Sequence, residues 1–175
     1  MDSSEFQDFL TTRTSVRDYS GDEMGDDAIV FILDCANTAP SAGNLEAWDV
    51  VVVRDAEQKE VLAGAAFDQN HVRDAPVLFV VCANYVRSMS RYGDRGILYA
   101  VQDATIACTY MMLAIHSLRL SSCWVGAFDE DEVRDILALP SHIRPVAILT
   151  AGTGRSKTGL TGRMAVGEHV HMDTW

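Results

Sequence analysis

The feature that most constrains this chain is a long apolar segment near its middle, running from about Ile97 to Leu118. Its apolar residues recur at the spacing of an α-helix and leave few polar positions on any side. A helix that is apolar all round must be central, lying either deep within one subunit or between two subunits. Asp103 is the one acidic residue within it, and a paired or water-facing acid and a functional acid both remain open.

Shorter helix and strand patterns alternate irregularly on both sides of this segment. Helices are predicted from a Ser4-x-x-Gln7 capping box, from Asp26 or Asp27 to Pro40, over 55–66, and after Asp129. Strands are predicted over 50–53, 77–83, 122–128 and 146–150, the first two buried on both faces. Polar stretches at 69–74 and 88–93 are predicted as connections. The irregular order, with the long helix placed away from any sheet face, predicts a layered α+β fold rather than a doubly wound sheet.

The composition limits the size of the fold and the choice of partners. With 175 residues and 48% hydrophobic content, the chain has the size and core of one domain. A formal net charge of -11 would repel nucleic acids and anionic membranes, so neither is expected as a partner. The four cysteines form no Cys-x-x-Cys pair and are expected to be reduced and buried. Without a signal sequence or an apolar run approaching the roughly 20 residues that span a bilayer, we expect a cytoplasmic protein.

A local exception to the acidic charge occurs at residues 13–19, Arg-Thr-Ser-Val-Arg-Asp-Tyr. Arg13 and Arg17 are four positions apart and flank the hydroxyl groups of Thr14 and Ser15. Because Arg stays charged and binds phosphate oxygens through two parallel hydrogen bonds, this segment outlines an anion site. An exposed turn with two solvated arginines explains the same seven residues, so these residues alone leave both interpretations open.

Other motifs give little support for alternative chemistry. Gly152-Thr153-Gly154 follows a strand but lacks the third glycine and the helix of a dinucleotide-binding fingerprint, and there is no Walker lysine loop. No ligand set is completed around His169 and His171, so no metal is expected. The serines lack a Gly-x-Ser-x-Gly elbow, which argues against a hydrolase. An anionic, aromatic cofactor fits what remains: arginines for its phosphate, an asparagine for amide edges and main-chain donors for its ring.

Five motifs in register resemble the FMN-dependent nitroreductase family. Residues 13–19 are similar to its Arg-x-Ser-x-Arg-x-Phe/Tyr opening, and residues 40–48, Pro-Ser-Ala-Gly-Asn-Leu-Glu-Ala-Trp, to its Pro-Ser-x-x-Asn-x-Gln-Pro-Trp. Gln69 with Ala75-Pro76, Tyr99-x-x-x-Asp103, and the segment 120–128 continue in the family's order. The resemblance extends from about residue 9 to residue 163. It implies a layered α/β/α domain with a central, mostly antiparallel sheet, and the long helix in the core of a homodimer.

The resemblance also implies where a cofactor would lie. Two FMN sites are expected at the subunit interface, each built from both chains, with no catalytic side chain because the flavin carries out the chemistry at N5. By position, the implied contacts are Arg13, Ser15 and Arg163 at the phosphate with Thr14 beside them; Arg17 at the pyrimidine edge of the flavin; Gln69 on the same side; Gly126 and Ala127 beside N5; and Pro40, Ser41, Ala42 and Asn44 from the partner chain. Residues 152–175 would form an arm packed on the partner subunit.

The implied reaction is ping-pong hydride transfer from NAD(P)H to nitroaromatic, quinone or related small-molecule acceptors. The chain departs from the family pattern: Glu46-Ala47 replaces Gln-Pro and would loosen the loop over the ring, Tyr110 stands where many relatives have Asn, and Thr161 where a basic residue often accompanies Arg163. A flavin-binding protein that stores or senses FMN, with slow or no turnover, remains an alternative. A specialised flavin enzyme such as a dehalogenase would need a substrate lid, and only residues 85–96 could form one.

Overall fold

The computed structural model describes residues 1–156 and 162–175. In chain order the elements are α1 (Ser3–Thr12), α2 (Asp26–Asn37), β1 (Trp48–Val53), α3 (Ala56–Ala65), α4 (Asn70–Asp74), β2 (Val77–Asn84), α5 (Tyr85–Tyr92), α6 (Arg95–Ser117), β3 (Ser121–Val125), α7 (Glu130–Ile136) and β4 (Ile143–Gly152). Two short 3-10 turns lie at Ala42–Asn44 and Val166–Glu168. The predicted α+β class is confirmed.

One sheet has the strand order β1-β2-β4-β3, and every neighbouring pair is antiparallel. Strand β2 is buried along its whole length. Its pairing with β4 slips by one residue between Val81 and Cys82, where Cys82 faces Pro145. Proline has no N–H to give to a ladder, so a bulge beside it is the place where a central strand tolerates one. The sheet therefore matches the mostly antiparallel arrangement that the family resemblance implied.

Two hydrophobic clusters lie on opposite faces of the sheet and produce three layers. Side chains of β2 alternate between them, with Phe79 in the cluster beneath α2 and α6 and Leu78 in the cluster beneath α3, α4 and α7. Ile32 and Leu62, one from each helical layer, are fully buried. The period-two alternation of a strand places successive residues on opposite faces, which explains why β2 reads as one continuous apolar run. The α/β/α layering is confirmed.

Helix α6 differs from its prediction in position and in burial. It packs across the sheet and against α2 and α5, so it does lie on a sheet face. One side remains uncovered, with Ile97 and Leu98 at 40% and 48% exposure. Over its 23 residues it is also long and apolar enough to cross a membrane, contrary to the sequence count, although here it is the core helix of the sheet. A shared dimer core and a cytoplasmic location both stay predictions.

Several local predictions need correction because tertiary or main-chain contacts override the pattern. Helix α1 is capped by Asp2, which forms a capping box with Glu5, so the Ser4-x-x-Gln7 assignment is wrong. Asp26 is the first residue of α2 and Gly25 is its N-cap. Strand β1 pairs with β2 alone and is only partly buried, because it is the edge of the sheet.

The two polar stretches predicted as connections are helical. Residues 70–74 form α4, which buries His71 and Val72 against the sheet. Residues 85–92 form α5, whose N-cap Asn84 accepts a hydrogen bond from the N–H of Arg87. The cap predicted for α7 is confirmed, because Asp129 accepts main-chain N–H bonds of the following turn. Asp55, predicted only as the first residue of its helix, caps α3 in the same way.

Candidate functional site

Residues 13–19, which we call the arginine segment, run along the outer edge of β3. The N–H of Val16 donates to the carbonyl of Ser122 at 2.9 Å, and Ser15 forms a parallel bridge with Ser122. Further along, the N–H of Arg155 donates to the carbonyl of Asp18 at 2.9 Å. Val16 is buried while Ser15 and Arg17 stay exposed. The segment is therefore held to the edge of the sheet on both sides of Arg17, which fixes the main chain from which the Arg17 side chain projects.

Close packing explains the glycines at the end of β4 and just after it, Gly152 and Gly154. A Cβ atom at Gly154 would lie 2.6 Å from the carbonyl oxygen of Asp18, and one at Gly152 would overlap the ring of Pro76. Tyr19 packs here and shares a 2.6 Å hydrogen bond with the hydroxyl of Thr150. Burial raises the pKa of the Tyr19 phenol above its usual value. The Gly152-Thr153-Gly154 motif is thus a packing requirement of the arginine segment.

Two buried side chains lie close to the arginines: Cys123 of β3 and His71 of α4. Burial raises the pKa of the Cys123 thiol, while the nearby charge of Arg17, a hydrogen bond with Ser15 and the charge of Arg13 oppose that rise. Burial and the charge of Arg17 lower the pKa of His71, and Asp74 opposes them. Arg13, Ser15 and Arg17 thus all act on Cys123, and Arg17 also acts on His71. We call these five residues the β3-edge cluster.

The sequence alone did not identify the two buried members of this cluster, Cys123 and His71. His71 lies in a stretch predicted as a polar connection. Recognising that this stretch is helical would have been the signal that His71 faces the protein interior. Its side chain is 6% exposed, and its Nε2 has no hydrogen-bond partner within the described residues. A buried polar atom without a partner is costly, so such an atom points to a ligand or water that completes it.

Gln69 joins the cluster to the turn after β3. Its side-chain amide donates to the carbonyl of Ala66 at 2.8 Å and to that of Ala127 at 2.9 Å. Gln69 immediately precedes α4, and Gly126 and Ala127 are exposed. The structure therefore brings Gln69, Gly126 and Ala127 to the same edge of the sheet as the β3-edge cluster.

The second group of predicted residues lies in the segment 40–47, which we call the α2–β1 loop. The buried carboxylate of Asp103 accepts the N–H of Ala42 at 2.9 Å and the N–H of Ala47 at 3.2 Å. The hydroxyl of Ser41 accepts the N–H of Glu46 at 3.0 Å. Of the two interpretations left open for Asp103, the structure shows an acid paired with the main chain. Asp103 therefore holds the α2–β1 loop in place through two main-chain hydrogen bonds.

This loop contains three residues in the left-handed region. Gly43, Asn44 and Glu46 have φ values of 58°, 56° and 49°. Non-glycine residues adopt such values at a cost, and they persist where surrounding contacts hold them. From above, Arg87 donates to the carbonyl of Glu46 and, at 3.1 Å, to that of Trp48. The hydrogen bonds made by Asp103 and by Arg87 argue against the prediction that Glu46-Ala47 would loosen the loop. The bond between the N–H of Ala47 and Asp103 is one that a proline at this position could not make.

The α2–β1 loop lines a groove of about 530 Å³ against one side of α6. Its lining residues are Pro40, Ser41, Ala42, Tyr99, Val101, Gln102, Asp103, Thr105 and Ile106. The loop leads into β1 at one edge of the sheet, whereas the β3-edge cluster lies at the other. A single chain therefore does not bring the two groups of predicted residues together.

Two predicted residues stand apart from the cluster. Arg163 is exposed, and its guanidinium contacts the carbonyl of the adjacent Gly162 at 3.4 Å. The Thr14 side chain lines a different cavity, of about 340 Å³, together with His116 and Arg119. The departure noted at Thr161 lies outside the described residues. Within the described ranges, no group of three His, Cys, Asp or Glu side chains is arranged to hold a metal ion.

Comparison with known proteins adds independent information. The family model described as "Nitroreductase family" matches residues 10–73 and 65–153. A Methanothermobacter thermautotrophicus protein provisionally named NADH dehydrogenase/NAD(P)H nitroreductase is 31% identical, with 95% of this chain and 85% of the relative covered. The Bacillus subtilis FMN reductase [NAD(P)H] is 25% identical over 95% of this chain and 72% of its own length. The structure of NfrA1 from B. megaterium superposes with a TM-score of 0.90 at 25% identity, covering 98% of this chain and 75% of that one.

Proposed function

Because the chain belongs to the nitroreductase family, we propose that it is a homodimeric FMN oxidoreductase that takes electrons from NAD(P)H and passes them to small nitroaromatic, quinone or related acceptors. The observation that carries this proposal is the β3-edge cluster, where Arg13, Ser15 and Arg17 lie close to the buried Cys123 and Arg17 also lies close to the buried His71, whose Nε2 has no hydrogen-bond partner within the described residues. The family's NAD(P)H-dependent flavin chemistry gives that cluster a ligand of matching charge. When bound, FMN supplies hydride transfer at N5 in a ping-pong reaction.

Arg13 and Ser15 are proposed to hold the phosphate of FMN. A guanidinium and a hydroxyl on a segment pinned to the sheet are suited to phosphate, which prefers charged and forked donors. Thr14, whose side chain faces another cavity, would contribute through its main chain. Arg163, exposed in one chain, is proposed to join the phosphate contacts when the C-terminal residues 152–175 pack on a partner as an arm.

Arg17 is proposed to face the pyrimidine edge of the flavin, with Gln69 on the same side and Gly126 and Ala127 beside N5. A fixed positive charge at that edge favours the negative charge that reduction places there. His71, which burial and Arg17 keep uncharged near neutral pH, can offer the same edge a hydrogen bond without a competing charge. These groups orient the ring and tune its charge; none of them is assigned a covalent or proton-transfer step.

Pro40, Ser41, Ala42 and Asn44 are proposed to contact the flavin of the partner subunit. They lie at the β1 edge, remote from the arginine segment of their own chain. A two-fold axis would bring the loop of one chain to the cluster of the other and complete two identical sites. The exposed apolar side of α6 and the exposed C-terminal side chains, such as Val166 at 75% and Met172 at 79%, support such burial between subunits.

The alternative of FMN storage or sensing without turnover depended on a loosened α2–β1 loop. The hydrogen bonds of Asp103 and Arg87 to this part of the chain argue against such loosening, so we favour the enzyme. The proposal also takes residues 1–175 as one domain, with the long α6 at the subunit interface.

An absorbance spectrum of the purified protein, recorded anaerobically with and without NADH or NADPH, tests the proposed function. We expect a yellow protein whose flavin bands bleach when either nucleotide is added and return when a quinone follows. Bound flavin that stays oxidised for minutes would contradict turnover. A colourless protein that takes up no FMN on titration would contradict the cofactor assignment. Sedimentation of the same sample tests the dimer.

A further inference from the structure

Two arginines and two tyrosines form a cluster where α5 meets α6, which we call the Arg–Tyr patch (Arg91, Tyr92, Arg95 and Tyr99). The rings of Tyr92 and Tyr99 meet edge to face with centroids 4.9 Å apart. Arg91 and Arg95 each place their guanidinium carbon 5.5 Å from a ring centroid, over Tyr92 and Tyr99 respectively. The Nε of Arg95 donates to the hydroxyl of Tyr99 at 3.0 Å. Two cations and two aromatic faces are thus held in one place.

The patch forms one end of the groove beside the α2–β1 loop. Tyr99 lines the groove, and Tyr92 and Arg91 press against Gly43, where a Cβ atom would lie 2.9 Å from Nη1 of Arg91 and would overlap the Tyr92 hydroxyl. Arg91 also reaches the carbonyl of Gly43 at 3.4 Å. The α2–β1 loop, whose neighbouring residues are proposed to face the partner's flavin, therefore touches the patch directly at Gly43.

The patch is one of the places on this acidic chain where arginine charge is not neutralised by a carboxylate within the described residues. The chain carries a formal net charge of -11, and Arg54, Arg73, Arg87 and Arg144 all pair with carboxylates. Within the described residues, Arg91 and Arg95 form no ion pair. Both guanidinium groups are exposed and keep donors free. Unpaired guanidinium groups beside aromatic faces suit a ligand that combines phosphate with an aromatic base.

We propose that the Arg–Tyr patch binds the phosphate and adenine end of the pyridine dinucleotide. This inference rests on the proposed function, because the groove next to the patch is where a nicotinamide ring would reach the flavin of the partner subunit. Arg91 and Arg95 would contact the anionic groups, and Tyr92 and Tyr99 would contact the base. FMN is not the occupant, because its phosphate is assigned to the β3-edge cluster at the other edge of the sheet.

The phosphate that is recognised could be the pyrophosphate of both dinucleotides or the 2′-phosphate of NADPH alone. Isothermal titration with adenosine 2′,5′-bisphosphate and with ADP separates these two sources without any need for flavin or turnover. The proposal expects at least one of them to bind wild-type protein, with affinity that falls as salt rises, because exposed charges are screened. Binding of neither ligand would overturn the patch proposal even if the protein proves to be an active flavin enzyme.

Substitutions of Arg91 and Arg95 test whether these two side chains bind the dinucleotide. Arg91→Ala and Arg95→Ala are each expected to raise the KM for NADPH or NADH about tenfold, the scale of one charge-assisted hydrogen bond. Reduced nicotinamide mononucleotide lacks the adenosine half, so its KM should change by less than about twofold under the same reasoning. FMN affinity, measured by fluorescence titration, should be unchanged. Arg91→Lys should recover part of the loss, since it keeps the charge but not the fork.

Arg54→Ala is the matched control, because Arg54 is an exposed arginine bound to Asp26 and remote from the groove. It removes one positive charge and should leave every KM unchanged. An equal rise in KM for the mononucleotide would overturn the proposal, since the patch would then act on the nicotinamide or through the loop. A loss of FMN affinity would also overturn it. If no variant binds FMN or turns over, the proposed function fails, while the bisphosphate titration still decides the patch.

Discussion

The β3-edge cluster and the α2–β1 loop use polar groups in opposite ways. In the cluster, Arg17 is exposed and the buried His71 leaves its Nε2 without a partner in the described part of the chain. In the loop, Asp103 uses both carboxylate oxygens on main-chain N–H groups. The cluster keeps hydrogen-bonding capacity available to a ligand, whereas the loop consumes its own to hold an unusual backbone shape. The cluster is the half of the proposed site that would bind the ligand, and the loop is the half that keeps a fixed backbone shape.

This difference predicts which property, ligand affinity or folding stability, a substitution in each half should change. A cluster with open donors should lose ligand affinity when a side chain is removed, with little change in folding. A loop with left-handed Asn44 and Glu46 should lose stability when an anchor is removed, because strained backbone persists only where its surroundings hold it. The predictions below test this contrast, from the largest expected effect to the smallest.

Asp103→Ala should lower the free energy of unfolding by about 2 to 5 kcal/mol, since it strands two N–H groups, one of them fully buried, and each orphaned donor costs about 1 to 3 kcal/mol. Urea denaturation followed by circular dichroism measures this. Asp103→Asn retains one carbonyl acceptor and should fall between the alanine variant and the wild type. An alanine variant within about 1 kcal/mol of wild type, by the scale of a single net hydrogen bond, would remove Asp103 as the anchor.

Arg13→Ala should weaken FMN binding by about 1.5 to 3 kcal/mol, the scale of a hydrogen bond to a charged group, while stability without flavin stays close to wild type. Fluorescence titration of the flavin-free protein gives the affinity. Arg54→Ala serves as the charge-matched control and should bind FMN like the wild type. Unchanged affinity in Arg13→Ala would take Arg13 out of the phosphate site.

Ala47→Pro introduces the proline of the motif that residues 40–48 resemble but deletes the N–H that bonds Asp103. We expect a loss of about 1 kcal/mol in unfolding free energy, because one hydrogen bond is lost and one oxygen of a buried carboxylate loses its donor. Glu46→Gln, which keeps the main chain and removes the charge, is the companion variant and should be near neutral. A proline variant more stable than wild type would show that the 3.2 Å bond contributes little.

His71 should contribute a small dependence of stability on pH. Burial and Arg17 lower its pKa in the folded protein below the unfolded value near 6.5. The unfolded chain then binds the proton more readily, so stability is retained above pH 6.5 and falls as the pH drops through that range. The acid-side decline between pH 7 and pH 5 should be shallower in His71→Gln than in wild type. Parallel curves for the two proteins would contradict this.

Part of the fold and of the site could be predicted because local chemistry determined it. Asp129 caps α7 as predicted, since a cap needs only its own turn. The β2 run of apolar residues predicted a fully buried strand. The anion site that the arginine segment indicated stays a prediction. His71, Cys123 and α5 were missed. Each depends on contacts with residues far along the chain, which no local pattern contains.

By itself, the sequence determined the long apolar helix, the buried central strand, the capped helices and the family to which the chain belongs. These follow from periodicity and from motifs whose residues are close together along the chain. Tertiary structure alone decided that β1 is an edge strand, that Asp103 anchors the α2–β1 loop through the N–H of Ala47, and that this loop and the arginine segment lie at opposite edges of the sheet. The physical reason is that strand order and burial arise from packing over the whole chain, so the same residues could be assigned roles from sequence but not positions.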